Sequence, residues 1–242
     1  MHRAYRDTSV PMNLAVFDVD GTLLDNHACE NECYAAALRE VLGLPVLDSR
    51  WHEYEHVTDT GIAVEAFRRY FGVEPSADQI SATIVRFVAL LQTACEANAS
   101  AIVPIAGAEQ ILPILLERGW AVAIATGAWK RAAEFKLGVA GIERSDVPLA
   151  SAEDGPARVT IVERARVLAQ RRYGVDRFER VVSVGDGVWD VTAARSLRIP
   201  FVGIGSDRRA ERLSARGTGI VLADFSDRDL VLEALENAGV PA

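Results

Sequence analysis

The chain has 242 residues, half of them hydrophobic and a quarter charged, a globular composition that excludes a disordered or fibrous protein. At roughly 150 residues per domain this length suits one large domain, or a domain with a sizeable insert. The formal net charge is −8 and the Arg208–Arg209 pair is flanked by Asp207 and Glu211, so the basic footprint expected of a nucleic-acid binder is missing.

Residues 1–12 read as a polar lead-in. The apolar stretch behind them is short and interrupted by Asp18, unlike a secretory signal, and no run approaches the ~18 apolar residues of a membrane helix. The first strand is LAVFD, ending at Asp18. The strand rhythm then stops until about residue 100. Tyr34, Leu38, Val41 and Leu42 mark one helical face; Ile62, Ala63, Ala66, Phe67 and Tyr70 mark another, closed by Gly72. Ser76 and Gln79 have the spacing of a capping box. Ile80, Ile84, Phe87, Val88, Leu91 and Cys95 carry a helical period to about Asn98. Residues 26–100 therefore read as a helical block inserted after the first strand, large enough to pack its own small core. Cys29 and Cys33 stand i,i+4 on its first helix, but no further Cys/His pair has ligand spacing, so packing is expected there rather than a metal. Three cysteines and no signal suggest a reducing, cytoplasmic setting.

Beyond residue 107 short apolar runs alternate with helical patterns. The runs are WAVAIAT (120–126), the weaker VPLAS (147–151), RVVSVGD (180–186), PFVGIG (200–205) and GIVLA (219–223). The helices fall at about 107–118, 129–138, 158–172, 189–197, 207–215 and 227–238. Gly119 and Gly138 stand where helix stops are expected, and Pro113 predicts a kink or a late start. Short continuous apolar runs between helices mean strands buried on both faces. The expected fold class is α/β, a Rossmann-like parallel sheet with helices on both faces.

The informative string is VFDVDGTLLD. Asp18 ends a strand, Asp20 follows, and Gly21 and Thr22 turn the chain. Ligands in an open parallel sheet bind outside the carboxyl ends of strands. Two carboxylates this close repel, and they need a cation or a shared proton to coexist. A calcium loop would need a third ligand before the glycine and a late glutamate, and neither is present.

Together with TG at 126–127 and GDGVWD at 185–190, this string resembles the haloacid dehalogenase superfamily of phosphatases and related enzymes, in its helical-cap branch of phosphoglycolate phosphatase-like and β-phosphoglucomutase-like proteins. The resemblance runs from Leu14 to about Leu235. It implies a core over 1–25 and 101–242 and a helical cap over 26–100. It implies Asp18 as the nucleophile that forms an aspartyl-phosphate and Asp20 as general acid and base. Thr126 and the amide of Gly127, at a helix start, would bind phosphate oxygens. Mg²⁺ would be held by Asp18, the Asp20 carbonyl and Asp186, with Asp190 behind them. The family's third motif is a basic residue near a helix start, most often Lys. No Lys follows Lys136, so the role falls to Arg158, with Arg164 and Arg166 solvated.

The resemblance also makes the helical block a mobile lid favouring a small substrate. Thr58, Asp59 and Thr60 face that substrate or simply cap a helix near Ile62. A dehalogenase would leave Asp20 idle, and a phosphonate hydrolase would need a cap lysine, absent between residues 21 and 100. Ser183 and Ser206 lack a nucleophile-elbow context, and His2, His27, His52 and His56 lie outside the strand-end cluster. The expected function is a Mg²⁺-dependent phosphatase of a small phosphorylated metabolite, acting as monomer or homodimer with neither nucleic acid nor membrane as partner. The alternatives are a phosphomutase of the same superfamily and a non-catalytic scaffold on the same fold.

Overall fold

A computed structural model describes residues 12–45, 50, 53–144 and 146–242. Most of the expected lead-in, His2 and His52 lie outside the described residues, as does the side chain of His27.

Six parallel strands form the sheet: β1 (Asn13–Phe17), β4 (Ala121–Ala125), β5 (Leu149–Ala150), β6 (Arg180–Gly185), β7 (Phe201–Ile204) and β8 (Val221–Leu222), in the order β5-β4-β1-β6-β7-β8. In register, Leu14 stands opposite Ala121 and Val181, and Phe17 opposite Ile124 and Val184. The pleat divides each strand between two apolar layers. Ala15, Phe17, Val122 and Ile124 share one layer with Ile111, Leu112 and Leu115 of α4 (Ala108–Glu117) and Val231 and Leu235 of α9 (Arg228–Asn237). Leu14, Val16, Ala121 and Ala123 meet Ile161, Val162, Ala165 and Ala169 of α6 (Arg158–Tyr173) on the other. This two-sided burial is why the strands read as unbroken apolar runs. The remaining core helices are α5 (Lys130–Val139), α7 (Val188–Leu197) and α8 (Asp207–Ala215).

The chain leaves and re-enters the core through a small antiparallel ribbon, β2 (Leu24–Asp25) against β3 (Val103–Pro104). Between them lie α1 (His27–Leu42), α2 (Asp59–Phe71) and α3 (Ala77–Ala97), an all-helical cap. Ser76 and Gln79 form the expected capping box. Among the described residues the cap's apolar side chains form no separate core, contrary to expectation. Its Tyr34, Leu38, Phe67, Phe87 and Leu91 belong to the same apolar cluster as the sheet face, because Trp129 from the core, fully buried, sits 5.6 Å from Tyr34 and 5.9 Å from Phe87 between ring centroids.

Three local expectations are corrected. Tyr70 is 59% exposed, since the buried stripe of α2 ends at Phe67. Gly138 lies inside α5, and the left-handed residue after that helix is Gly141, at φ 71°. Pro113 does not delay α4, which starts at Ala108. One helix, α3, is long and apolar enough to cross a membrane by length and composition; in the fold its Phe87, Val88 and Leu91 are buried in the shared apolar cluster.

Candidate active site

The site forms where β1, β4 and β6 end. Asp18 follows β1 directly, and its amide donates to the Val184 carbonyl at 2.9 Å, tying it to β6. The Val19 carbonyl then accepts from the amides of Thr22, Leu23 and Leu24 at 3.2, 2.8 and 3.0 Å. This tight loop needs φ 80° at Gly21, which glycine adopts at little cost. It sets Asp20 in a backbone bridge with Leu24.

Asp18 is 4% exposed. Its Oδ1 accepts from Arg158 Nη1 at 2.7 Å, while Oδ2 is buried with no hydrogen-bond partner. Burial pushes its pKa up to about 6; Arg158 pulls it down, and Asp186 and Asp20 push it further up. Arg158 is the first residue of α6, and its guanidinium passes so close over Gly127 that a Cβ there would lie 2.9 Å from Cζ. Only glycine at 127 leaves that path open. Burial opposes the Arg158 charge, but Asp18 and Asp190 outweigh it and hold its pKa above the usual range. Arg164 and Arg166 turn away, to Asp154 at 3.1 Å and Glu163 at 2.6 Å.

Carboxylate oxygens of Asp18, Asp186 and Asp190 come within 4.8 Å of one another. Thr22 Oγ1 donates to Asp186 at 3.4 Å, and Arg209 of α8 stands 3.3 Å from its other oxygen while also donating to the Gly21 carbonyl at 3.0 Å. Sequence reasoning named Arg209 only as half of an arginine pair flanked by acids and gave it no place in the site. Asp190 accepts from the Gly187 amide at 3.1 Å and lies 3.6 Å from Arg158. Thr126 is fully buried, and its hydroxyl oxygen accepts from the Ala128 amide at 3.1 Å. Helix α5 begins only at Lys130, so the Gly127 amide stands in the preceding loop rather than at a helix start.

Asp20 has a partner that sequence reasoning missed. Lys136 of α5 is fully buried, and its Nζ donates to Asp20 Oδ1 at 2.5 Å and to Glu30 of α1. Asn26 Nδ2 donates to the same Asp20 oxygen at 2.7 Å. Burial disfavours the lysine charge, but Asp20, Glu30 and Asp59 outweigh it and raise its pKa. A signal existed: Trp129, Ala132, Ala133, Lys136 and Leu137 form one helical stripe, and a charge on an apolar stripe must be paired.

The cap closes on this floor through Thr58, Asp59 and Thr60. Thr58 caps α2 by accepting from the Gly61 amide at 3.1 Å and donates to the Pro156 carbonyl at 2.9 Å. The Asp59 amide donates to the Gly127 carbonyl and its carboxylate accepts from the Trp129 amide, both at 2.8 Å. Trp129 Nε1 donates to Thr60 at 2.9 Å. The segment therefore both caps a helix and clasps the core. Between cap and core lies a cavity of about 120 Å³ lined by Asp20, Glu30, Asn31, Asp59, Arg158 and Trp189, among others. Clefts of about 510 and 540 Å³ lie elsewhere, against Arg164 and Arg172 and beside Cys29 and Cys33. Neither has Asp20, Gly127 or Arg158 in its wall, whereas the smaller cavity has all three. Burial pushes the Cys33 thiol up to about 12 and also raises Cys29, and the two sulfurs stand 4.0 Å apart. His56 lies beside Glu55 at 3.9 Å, and Ser183 is buried within β6.

The architecture recurs among solved structures. A hydrolase from Pseudomonas syringae is 19% identical with a TM-score of 0.66, over 93% of this chain and 98% of that one. CbbY from Rhodobacter sphaeroides, in complex with phosphate, is 21% identical with a TM-score of 0.67, over 93% and 99%. A predicted phosphoglycolate phosphatase from Haemophilus somnus is 18% identical with a TM-score of 0.60, over 93% and 99%. No curated protein matches at the sequence level. The model of the haloacid dehalogenase-like hydrolases matches residues 12–198, with Asp18, Thr126, Arg158, Asp186 and Asp190 all inside the match. The chain belongs to the haloacid dehalogenase-like hydrolase family, a family of enzymes.

Proposed function

We propose that the chain is a Mg²⁺-dependent phosphatase of small phosphomonoesters, working through an aspartyl-phosphate on Asp18. The observation that carries this reading is the state of Asp18: one oxygen fixed by Arg158 at 2.7 Å, the other buried without a partner beside two further aspartates. Such an oxygen suits either a nucleophile or a metal ligand, and hard carboxylate donors suit Mg²⁺. Asp18, Asp186 and the Asp20 carbonyl would hold the ion, with Asp190 fixing Arg158 and the loop at Gly187 behind them. When bound, the ion offsets the repulsion between an anionic nucleophile and an anionic ester.

An oxygen of Asp18 attacks phosphorus, and the bond from phosphorus to the ester oxygen breaks. Asp20 gives its proton to the departing alkoxide. Asp20 then takes a proton from water, the resulting hydroxide oxygen bonds to phosphorus, and the acyl-phosphate bond breaks to free phosphate and restore Asp18. Arg158 holds Asp18 in line and binds the transferring group as a planar fork. Thr126 and Gly127 flank the phosphate position. The closed cap excludes water from the first step. Three free cysteines fit the reducing cytoplasm expected from the sequence.

Phosphate release from p-nitrophenyl phosphate, with Mg²⁺ or with excess chelator, tests the reading. The expected result is turnover with the ion, loss with the chelator and loss in Asp18→Asn. Absence of release under all conditions would instead favour a non-catalytic scaffold.

A further inference from the structure

Resting on the phosphatase reading, we infer that Lys136 is a positioning residue for Asp20. It fixes the carboxyl that hands a proton to the leaving group, and it stabilises the negative charge left on that carboxyl. Lys136 stands on α5 among the buried Ala132, Ala133 and Leu137, and its side chain is fully buried. An ammonium buried on an apolar stripe is costly unless it is paired and hydrogen-bonded. A methionine or leucine would fill the same stripe without that cost, so the lysine is explained by what it meets. It meets Asp20 Oδ1 at 2.5 Å and Glu30.

Lys136 acts from behind the wall. Asp20 and Glu30 line the cavity between cap and core, and the fully buried Lys136 does not. It therefore reaches the substrate only through Asp20. A second donor converges on the same place: Asn26, 3% exposed, donates from Nδ2 to Asp20 Oδ1 at 2.7 Å and to Glu30 Oε2 at 3.3 Å. Rotating the Asp20 carboxyl would break both of its bonds at once. With Lys136 and Asn26 on Oδ1, both lone pairs of that oxygen are taken, so the transferable proton belongs on Oδ2.

The chemistry follows. When the ester bond breaks, the Oδ2–H bond of Asp20 breaks too, and the proton goes to the departing oxygen. A carboxylate forms beside an ammonium already in place. A fixed charge aimed where charge develops, in a site screened from water, stabilises the transition state without reorganisation. The benefit must grow with the leaving group's need for a proton. A nitrophenolate departs with little help, whereas an alkoxide needs it.

The test measures kcat/KM for p-nitrophenyl, phenyl and ethyl phosphate with Mg²⁺, a quantity set by transition-state stabilisation relative to free enzyme and ester. The proteins are the wild-type chain, Lys136→Met, and Lys136→Met combined with Glu30→Gln. The double variant removes the cation together with one acid it serves, which keeps a folded protein for the comparison if the single variant unfolds. Ethyl phosphate should lose roughly tenfold or more beyond the loss for p-nitrophenyl phosphate, a share of the 10²–10⁴ that a placed general acid supplies. In an Asp20→Asn background, adding Lys136→Met should leave the ratio between these esters unchanged, because the lysine acts through Asp20. A lysine that only holds the fold would lower all of the esters alike. Such an equal loss, or a further change of the ratio in the Asp20→Asn background, overturns this inference and leaves the phosphatase reading standing. No phosphate from any of the esters with the wild-type chain overturns both.

Discussion

The two ends of the site are built differently. On the core side Asp18 and Asp186 directly follow strands, Asp190 stands in the first turn of α7, and the three share two arginines: Arg158 serves Asp18 and Asp190, and Arg209 serves Asp186. On the cap side Lys136 bonds Asp20 and Glu30 and, together with Arg158, pulls down the pKa of Asp59, and two of these three carboxyls come from cap helices. The core side thus holds its carboxylates in fixed ion pairs around the buried Asp18 oxygen. The cap side holds buried carboxyls around Lys136, on helices joined to the core by one ribbon and by the hydrogen bonds of Thr58, Asp59 and Thr60. On the proposed phosphatase reading the first region carries the reaction and the second shapes the space beside it, and substitutions should separate them.

The largest expected effect is on the core side. Asp18→Asn should lower kcat by roughly 10³-fold or more, the scale for removing a nucleophile, with an unchanged circular dichroism spectrum. Near-normal turnover in a pure preparation would break the division at once. Lys136→Met should be the costliest change for the fold. It leaves Asp20 and Glu30 buried without their cation, a loss of about 3–5 kcal/mol, read from urea unfolding. A loss below about 1 kcal/mol would show the pairs to be solvated. Arg158→Ala should slow turnover by on the order of 10²–10³, and Arg158→Lys should recover part of it, because charge survives without the fork.

The way these residues come together explains what a reader of the sequence could and could not see. Asp18, Asp20, Thr126, Gly127, Asp186 and Asp190 sit in short strings directly after apolar runs, so local pattern points to them. Arg158 is found by asking which cation opens the helix after the third motif's loop. Lys136 and Asp20 are 116 residues apart, and Lys136 and Glu30 are 106 apart; packing between helices creates that network, and no local string records it. The apolar stripe around Lys136 was the available clue. The clasp between Asp59 and Trp129 is equally remote, and it also explains why the cap shares the core's apolar cluster instead of packing alone. Tyr70 shows the reverse error, a residue at helical spacing on a stripe that had already ended.

A smaller effect concerns pH. Asp18, Asp59 and Glu30 have folded-state pKa values raised to about 6, 7 and 8. Between pH 4 and 8 the native state therefore binds more protons than the unfolded chain, and stability falls as pH rises. The contribution is full below pH 4 and lost as pH passes through those values. The metal-free protein should be less stable, with a lower Tm, at pH 8 than at pH 5.5, by on the order of a few kcal/mol of unfolding free energy. Mg²⁺ should restore more stability at pH 8, where the carboxylates are ionised. A metal-free Tm that climbs steadily from pH 5.5 to 8 would contradict the buried-carboxyl picture. The smallest effect is Arg164→Ala, which should leave kcat/KM within about twofold because its partner, Asp154, lies outside the cavity.

The central claim is that phosphate passes through Asp18 rather than directly to water. The stereochemical course at phosphorus tests this most directly. A phosphomonoester made chiral at phosphorus by isotope and sulfur substitution is hydrolysed in labelled water with Mg²⁺, and the configuration of the released product is determined. Two in-line displacements, first by Asp18 and then by water, predict net retention. Net inversion would mean a single displacement by water, and would contradict the aspartyl-phosphate account.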